Sequence, residues 1–332
     1  MRVPALILVF SLASVRGNLL SYYEPGSNAA ILATSRGGAA SGLPYYTFSN
    51  PALLGFSSDG ISLNAGYRRF FVGLNTPSYL RDVPGYIAPD ISEKNFEVFY
   101  GFDGNFSAGF GFYSMDLEKY FSQKIVSLYA SWRLDDLFED SEAGNGDKFS
   151  VGISVKNTGI SYYPDDYTSG FFRKYSSGKN AVTYDCGVFY SHGIFGFALV
   201  GRNLLRSGSL GIYDAGSQGG AAAPSSEFIL GGSASLLKNF DLRLDARASD
   251  SEGFNEIIPS LSWRPVDSLF ILAGINSSQV SSGISFVFGD FSIVAAFAYP
   301  YVISDGFGDA AVACGWRFGA LSSSAAGHWV ER

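Results

Sequence analysis

The dominant pattern along the chain is alternation with a period of two. In "FDLRLDARASD", residues 240–250, Asp241, Arg243, Asp245 and Arg247 take every second position, with Phe240, Leu242, Leu244, Ala246 and Ala248 between them. Successive side chains of a strand point to opposite faces, so this stretch predicts a strand with one apolar and one charged face. "VSLYASWRLDD" sets Val126, Leu128, Ala130, Trp132 and Leu134 against Ser127, Tyr129, Ser131, Arg133 and Asp135. "FSVGISVK" sets Phe149, Val151, Ile153 and Val155 against Ser150, Gly152, Ser154 and Lys156. A soluble sandwich would turn the apolar faces into a core. An outer-membrane barrel would turn them to lipid and the polar faces to its lumen. Alternation alone leaves both open.

Segment lengths and connections separate the two. Fourteen segments of roughly ten residues, the length a tilted strand needs to cross a bilayer, can be marked between Asp59 and Phe318. They cover 60–73, 95–103, 105–115, 123–135, 147–157, 181–191, 194–205, 226–237, 239–249, 256–265, 268–277, 281–289, 291–302 and 308–318. The second, sixth, eighth, tenth and twelfth connections are tight ("DG", "HG", "LK", "RPVD", "GD"), whereas the first, fifth and seventh are long. Short periplasmic turns facing longer external loops are the signature of an outer-membrane barrel. The fourth connection, "LFEDSEAGNG", should be tight and is not. In a bilayer every backbone polar group must be paired, so the sheet has to close on itself. The expected fold is an all-β transmembrane antiparallel barrel of about 14 strands, with both chain ends on the periplasmic side.

Composition agrees with this. Only 16% of the residues are charged and 47% are hydrophobic, with no apolar run long enough for a spanning helix beyond the N-terminus. "MRVPALILVFSLASVRG", with Arg2, an apolar stretch from Pro4 to Ala13 and a small residue at Gly17, predicts a cleaved export signal at residues 1–17. Its removal with Arg2 and Arg16 leaves 21 basic against 30 acidic residues, a net charge of −9, which argues against nucleic acid as a partner. Two cysteines, Cys186 and Cys314, rule out a disulfide scaffold. Residues 18–58 are Gly/Ala/Ser-rich and too irregular for strands, yet carry Tyr22, Tyr23, Tyr45, Tyr46 and Phe48. A compact N-terminal hatch (plug) fits better than a disordered leader, ahead of the barrel at 59–318 and a periplasmic C-terminal tail at 319–332.

The hatch region carries a resemblance. Arg36, Gly37, Gly38 and Ala39, followed by Phe48, Asn50, Pro51, Ala52 and Leu53, resemble the N-terminal hatch of FadL-like outer-membrane transporters of long-chain fatty acids and hydrocarbons. They also resemble the related PorV-type barrels of protein secretion. "SVKNTG" at 154–159 and "VGRNLL" at 200–205 look like strand ends of the same superfamily. The resemblance implies a fourteen-stranded plugged barrel whose third and fourth external loops form an apolar landing groove. Here these are the long fifth and seventh connections. In the first of them, Tyr162, Tyr163, Phe171 and Phe172 beside Arg173 and Lys174 offer an apolar surface with cations for an acyl chain and its carboxylate. An aromatic belt at the membrane interface would use the same residues. The resemblance further implies a sideways exit through a kinked third strand, where Gly109 and Gly111 are the candidates for a bulge.

On the barrel reading, Asp241, Arg243, Asp245 and Arg247 line the lumen as a charge ladder, joined by Arg68, Arg133, Lys156, Arg202 and Arg264. They either salt-bridge one another or present one arginine to a ligand carboxylate. No phosphate loop, dinucleotide motif, nucleophile elbow or metal-spaced Cys/His set occurs, so neither an enzyme nor a cofactor or metal site is indicated. His192 falls in an expected turn, His328 in the tail, and Asp165 and Asp166 on a loop. The expected function is passive uptake of hydrophobic compounds, long-chain fatty acids foremost, across the outer membrane of a diderm bacterium. A PorV-type secretion shuttle with secretion-system partners, a general porin and a soluble sandwich or propeller are the rivals.

Overall fold

A computed structural model describes residues 29–35, 37–41, 47–56, 60–72, 91–102, 105–117, 121–135, 147–162, 178–208, 226–237, 239–249, 253–301 and 308–318. The first seven strands are β1 (Gly60–Val72), β2 (Ile91–Phe102), β3 (Phe106–Leu117), β4 (Phe121–Arg133), β5 (Lys148–Tyr162), β6 (Gly178–His192) and β7 (Phe195–Arg202). A three-residue piece, β8 (Arg206–Gly208), precedes β9 (Glu227–Leu237), β10 (Phe240–Ser249) and β11 (Gly253–Val266). β12 (Leu269–Ile275), β13 (Gln279–Phe288), β14 (Phe291–Pro300) and β15 (Gly308–Phe318) complete the set. Each pairs antiparallel with its neighbours, and β15 pairs with β1 from Ile61↔Phe318 to Val72↔Gly308. The sheet therefore closes into a fourteen-stranded barrel without edges, as the expected fold requires.

The fifteenth strand is a displaced piece of the seventh. β7 pairs with β6 up to Cys186↔Gly201, and β8 resumes on the same strand at Thr183↔Arg206. Two extra residues are accommodated at the break, where Asn203 takes a positive φ of 53°. Asn203 N–H donates to Asp185 Oδ1 at 2.8 Å, and Leu204 N–H to the Tyr184 carbonyl at 2.9 Å. Pairing with β9 ends before the break, at Arg202↔Glu227.

Alternation is realised as written. On β10, Leu242 and Leu244 are exposed while Arg243, Asp245 and Arg247 are buried. On β13, Val280, Ser282, Ile284 and Phe286 face outward, and Gln279, Ser281, Gly283 and Ser285 face inward. A soluble protein would not leave Leu199, Leu230, Phe197, Val312 and Ile257 all more than half exposed on one continuous surface. That surface is a lipid-facing belt.

Aromatic side chains gather at the rim that carries the tight turns. Tyr100, Phe102, Phe106 and Trp132 touch in sequence, with ring centroids 4.3, 5.5 and 5.1 Å apart. Trp316 stacks on Phe318 at 5.2 Å and meets Phe291 at 6.0 Å. Amphipathic rings in such a girdle mark the boundary between hydrocarbon and headgroups. The β6–β7 turn is Gly193–Ile194, with His192 as the last residue of β6 rather than in the turn itself. The end of β4 and the start of β5 lie at the same rim; Asp147, just ahead of β5, accepts from Tyr190 Oη at 3.2 Å and meets His192 Nδ1 at 2.6 Å.

Inside the barrel lie a one-turn helix, α1 (Ala29–Ala33), and a 3-10 turn, Pro51–Phe56. α1 packs against β12–β15 and β1, and the 3-10 turn against β3–β6, so the two halves of the segment brace opposite parts of the wall. Ala29, Leu32, Ala52, Leu53 and Leu54 are all essentially fully buried.

Candidate functional site: the filled lumen

The inner wall is built from small and polar residues, which leaves room for the N-terminal segment. "NPALL" enters a cradle of glycine and serine on β4–β6. A Cβ at Gly152 would lie 2.4 Å from Ala52 N and from the Pro51 carbonyl carbon, and one at Gly187 would lie 2.1 Å from Asn50 Oδ1. Only a residue without a side chain lets the backbone of residues 50–52 approach this closely. Ser131 and Ser150 then donate their hydroxyls to the Ala52 carbonyl at 3.1 and 2.8 Å. Asn50 joins the two halves of the segment: its Oδ1 accepts from Ala52 N–H at 3.0 Å and its Nδ2 donates to the Ala39 carbonyl at 2.9 Å.

The other half is held by hydrogen bonds. Ser281 Oγ donates to the Ala33 carbonyl at 3.1 Å, and Asn276 Nδ2 to the Ser35 carbonyl at 3.1 Å. At Gly38, whose φ of 122° suits glycine, the chain turns so that two consecutive amides face the wall. Gly38 N–H and Ala39 N–H both donate to Asp245 Oδ2, at 2.6 and 2.9 Å. A charged acceptor makes these among the stronger hydrogen bonds available to a backbone. Asp245, the third charge of the "FDLRLDARASD" ladder, is thus the wall's grip on the "GGA" turn.

The remaining charges form a belt that runs around the wall rather than along one strand. Arg68 of β1 meets Asp309 of β15 at 2.5 Å and Glu93 of β2 at 3.7 Å. Tyr113 of β3 donates to Glu97 of β2 and lies 3.4 Å from Tyr129 of β4. Lys156 meets Asp185 at 3.0 Å, and Arg202 meets Glu227 at 3.6 Å. Arg247 lies 3.9 Å from both Glu227 and Glu256, whose Oε1 accepts from Ser277 N–H at 3.1 Å and from its hydroxyl at 2.8 Å. Among the described buried residues, six cations (Arg68, Lys156, Arg202, Arg243, Arg247, Arg264) face seven carboxylates (Glu93, Glu97, Asp185, Glu227, Asp245, Glu256, Asp309). Phe48 sits within the belt, its ring 4.9 Å from the Arg202 guanidinium and 4.8 Å from Tyr113, with its carbonyl accepting from Arg202 at 2.9 Å.

Of the residues singled out from the sequence, Arg243, Asp245 and Arg247 share this interior with Arg68, Lys156, Arg202 and Arg264. Asp241 sits near the tight-turn rim, its side chain two-fifths exposed, and accepts from Ser235 Oγ at 2.7 Å. Arg133 also lies low, paired with Asp135 and 5.8 Å from the Phe56 ring. Gly37, Gly38, Asn50, Pro51 and Ala52 are in the internal segment. Arg36, Tyr163, Phe171, Phe172, Arg173 and Lys174 lie outside the described residues, as do the expected signal and tail, and Tyr162 is described only as the last residue of β5.

Gly109 and Gly111 lie in a β3 that is paired without a register shift to β2 and to β4 along its whole length, so the wall is closed there. Both glycines make room for inward rings: a Cβ at 109 would lie 2.3 Å from Phe99, and one at 111 would lie 3.1 Å from Tyr113 and Tyr129. The strand that does break is the seventh, at Asn203 within "VGRNLL". The inward carboxylates Glu93, Glu97, Asp185, Glu227, Glu256 and Asp309, along with Tyr113, were missed from sequence. Their alternation phase within each strand was the available signal.

Neither a family model nor a curated protein sequence matches the chain. Its fold has solved counterparts. The toluene transporter TbuX of Ralstonia pickettii aligns over 90% of this chain and 99% of its own at 11% identity, TM-score 0.58. The monoaromatic hydrocarbon channel CymD aligns over 91% of this chain and 100% of its own at 10% identity, TM-score 0.61. The toluene transporter TodX of P. putida covers 90% and 99% at 12% identity, TM-score 0.51. With the closed barrel, lipid-facing belt and aromatic girdle, this likeness defines the class: an outer-membrane β-barrel. Its fold is that of the FadL-like hydrocarbon channels.

Proposed function

We propose that the protein is a channel for passive uptake of hydrophobic compounds across the outer membrane, and that residues 18–58 act as its hatch. The observation that carries this reading is the filled lumen. A general porin needs an open aqueous passage, whereas here α1, "GGA" and "NPALL" occupy the interior and are fixed to opposite walls. Hydrophobic solutes need no continuous water path, only a route past a displaceable segment. The near balance of cations and carboxylates in the belt supports a ligand without strong charge. The reading extends to long-chain fatty acids on the sequence of the long fifth connection, where Arg173 and Lys174 offer cations for a carboxylate next to Phe171 and Phe172.

Uptake of labelled oleate and labelled hexadecane by cells lacking the gene, with and without its restoration, tests the proposal. Restored uptake of either, with unchanged entry of a small hydrophilic sugar, is expected. Equal rates with and without the gene for both probes would overturn it.

A further inference from the structure

The seventh strand breaks where it meets the N-terminal segment. β7 and β8 pair with the same neighbour, β6, in registers that differ by two residues, Cys186↔Gly201 before the break and Thr183↔Arg206 after it. A slip of two keeps every side chain of β8 on its own face, so a continuous register, with Leu204 opposite Thr183, suits the same sequence. What holds the broken register is local. Asn203, at a φ of 53°, donates its N–H to Asp185 Oδ1 at 2.8 Å. Ser226 Oγ donates to the Asn203 carbonyl at 3.0 Å and accepts from Arg206 Nη2 at 2.8 Å. Leu204 closes over the outward side of Gly201, where a Cβ would lie 2.8 Å from Leu204 Cδ1. In a continuous strand the Asn203 amide would lie in the plane of the sheet, out of reach of an inward carboxylate, and Leu204 would face the lumen.

The same carboxylate reaches Phe48 through a cation. Asp185 Oδ2 accepts from Ser154 Oγ at 3.0 Å and meets Lys156 Nζ at 3.0 Å, and that ammonium stands 5.6 Å from the Phe48 ring. Arg202, the residue before Asn203, lies 4.9 Å from the ring and donates to the Phe48 carbonyl at 2.9 Å. Phe48, Lys156 and Arg202 are all buried, where a cation over a ring is worth more than at an exposed site. Two cations therefore hold one ring, and the break positions both: Lys156 through Asp185, Arg202 through the chain. The continuous register would strip Asp185 of one donor and bring Leu204 into the lumen beside Thr183, the residue that pairs with Lys156.

We propose that the break in the seventh strand is a latch on the N-terminal segment: the broken register holds Phe48 to Arg202 and Lys156, and the continuous register releases it. Asn203 and Asp185 are positioning residues that act through the two cations. β8 lies at the rim opposite the tight turns and leads into the long seventh connection, so the latch joins that mouth of the barrel to the interior. By linkage the effect runs both ways, and holding Phe48 holds the break. The inference rests on the reading of this segment as a displaceable hatch.

Asn203→Val tests this in the purified full-length barrel. A β-branched residue resists a positive φ and so favours the continuous register, whereas Asn203→Gly accepts the same φ and is the conservative variant. Hydrogen exchange of the Thr47–Ser49 amides should rise about tenfold in Asn203→Val and stay within about twofold of wild type in Asn203→Gly. Phe48→Leu keeps the bulk but loses the ring face, and should raise exchange at Asn203 and Leu204 about fivefold. Exchange in β12–β14 should stay constant in all three. A merely local role for Asn203 would move exchange at 203–204 alone. Unchanged exchange at 47–49 in Asn203→Val, an equal rise there in Asn203→Gly, or unchanged exchange at 203–204 in Phe48→Leu would overturn the proposal. If Asn203→Val lacks the heat-dependent gel migration of a closed barrel, the Phe48→Leu measurement decides. If the wild type takes up no hexadecane, the channel reading fails by itself, and the exchange coupling still decides the latch.

Discussion

Asp245→Asn isolates the wall's grip on the "GGA" turn. The amide is nearly the same size as the carboxylate and keeps one oxygen facing Gly38 and Ala39, so the geometry survives and only the acceptor's charge is lost. A hydrogen bond to a charged group contributes roughly 1.5–3 kcal/mol against roughly 0.5–1.5 kcal/mol for a neutral pair. Each of the two bonds therefore weakens by about 1 kcal/mol, and the "GGA" turn is held about 2 kcal/mol less tightly. At about 1.4 kcal/mol per tenfold, the population with the turn released rises roughly 30-fold. Hydrogen exchange of the 35–41 peptide reads that population directly when reclosing is fast, and its rate should rise by the same factor. Exchange in β1–β4, remote from the substitution, should not change. Asp241→Asn is the matched control, since that carboxylate accepts from Ser235 and lies 3.9 Å from Arg243, near the rim. An exchange rate within about twofold of wild type in Asp245→Asn, or an equal rise in Asp241→Asn, would refute the assignment of Asp245 as the grip.

Two further substitutions probe the wall. Leu199→Arg places a charge on the lipid face of β7, where Leu199 is 56% exposed; a loss of roughly 2–4 kcal/mol is expected near the midplane, read by urea unfolding from vesicles. A change below about 0.5 kcal/mol would place that face in water instead. Gly152→Ala inserts a methyl group 2.4 Å from the backbone at Pro51 and Ala52. "NPALL" must then shift, at a cost of roughly 1–3 kcal/mol. Faster exchange at residues 51–55, with the barrel still resistant to unfolding, is the expected result, and unchanged exchange would count against the cradle.

The barrel was legible because its code is short-range. Period-two alternation and the order of tight and long connections are local properties, and they returned fourteen strands with bounds mostly within a few residues. The seventh strand resisted because its break depends on Asn203 adopting a positive φ and on Asp185, eighteen residues away, receiving its amide. The site was legible only in part. Arg247 could be assigned an inward face from "FDLRLDARASD", but its partners Glu227 and Glu256 stand on two other strands, and pairing register is not written in either strand alone. The ladder read along β10 therefore anticipated mutual salt-bridging with cations of other strands but named none of the acidic partners on them.

The two halves of the N-terminal segment are held by different balances of packing and hydrogen bonding, and the balance decides which half yields first. Around "NPALL" the restraint is steric and apolar: Leu53 and Leu54 are buried, and the backbone is seated where glycines leave no slack. Withdrawing it would open cavities on both sides at once, a cost that grows with the volume vacated. Around "GGA" the chain is also seated against wall glycines, at Gly231 and Gly274, but the polar restraint is larger, with hydrogen bonds to Asp245, Asn276 and Ser281. Such bonds can be exchanged one at a time for bonds to water or to other wall groups, so their net contribution is small compared with their number. Release of the N-terminal segment is therefore expected to begin at Thr34–Ala39 and to leave residues 50–56 in place, with Asn50, bonded to Ala39 from the fixed side, as the link between them.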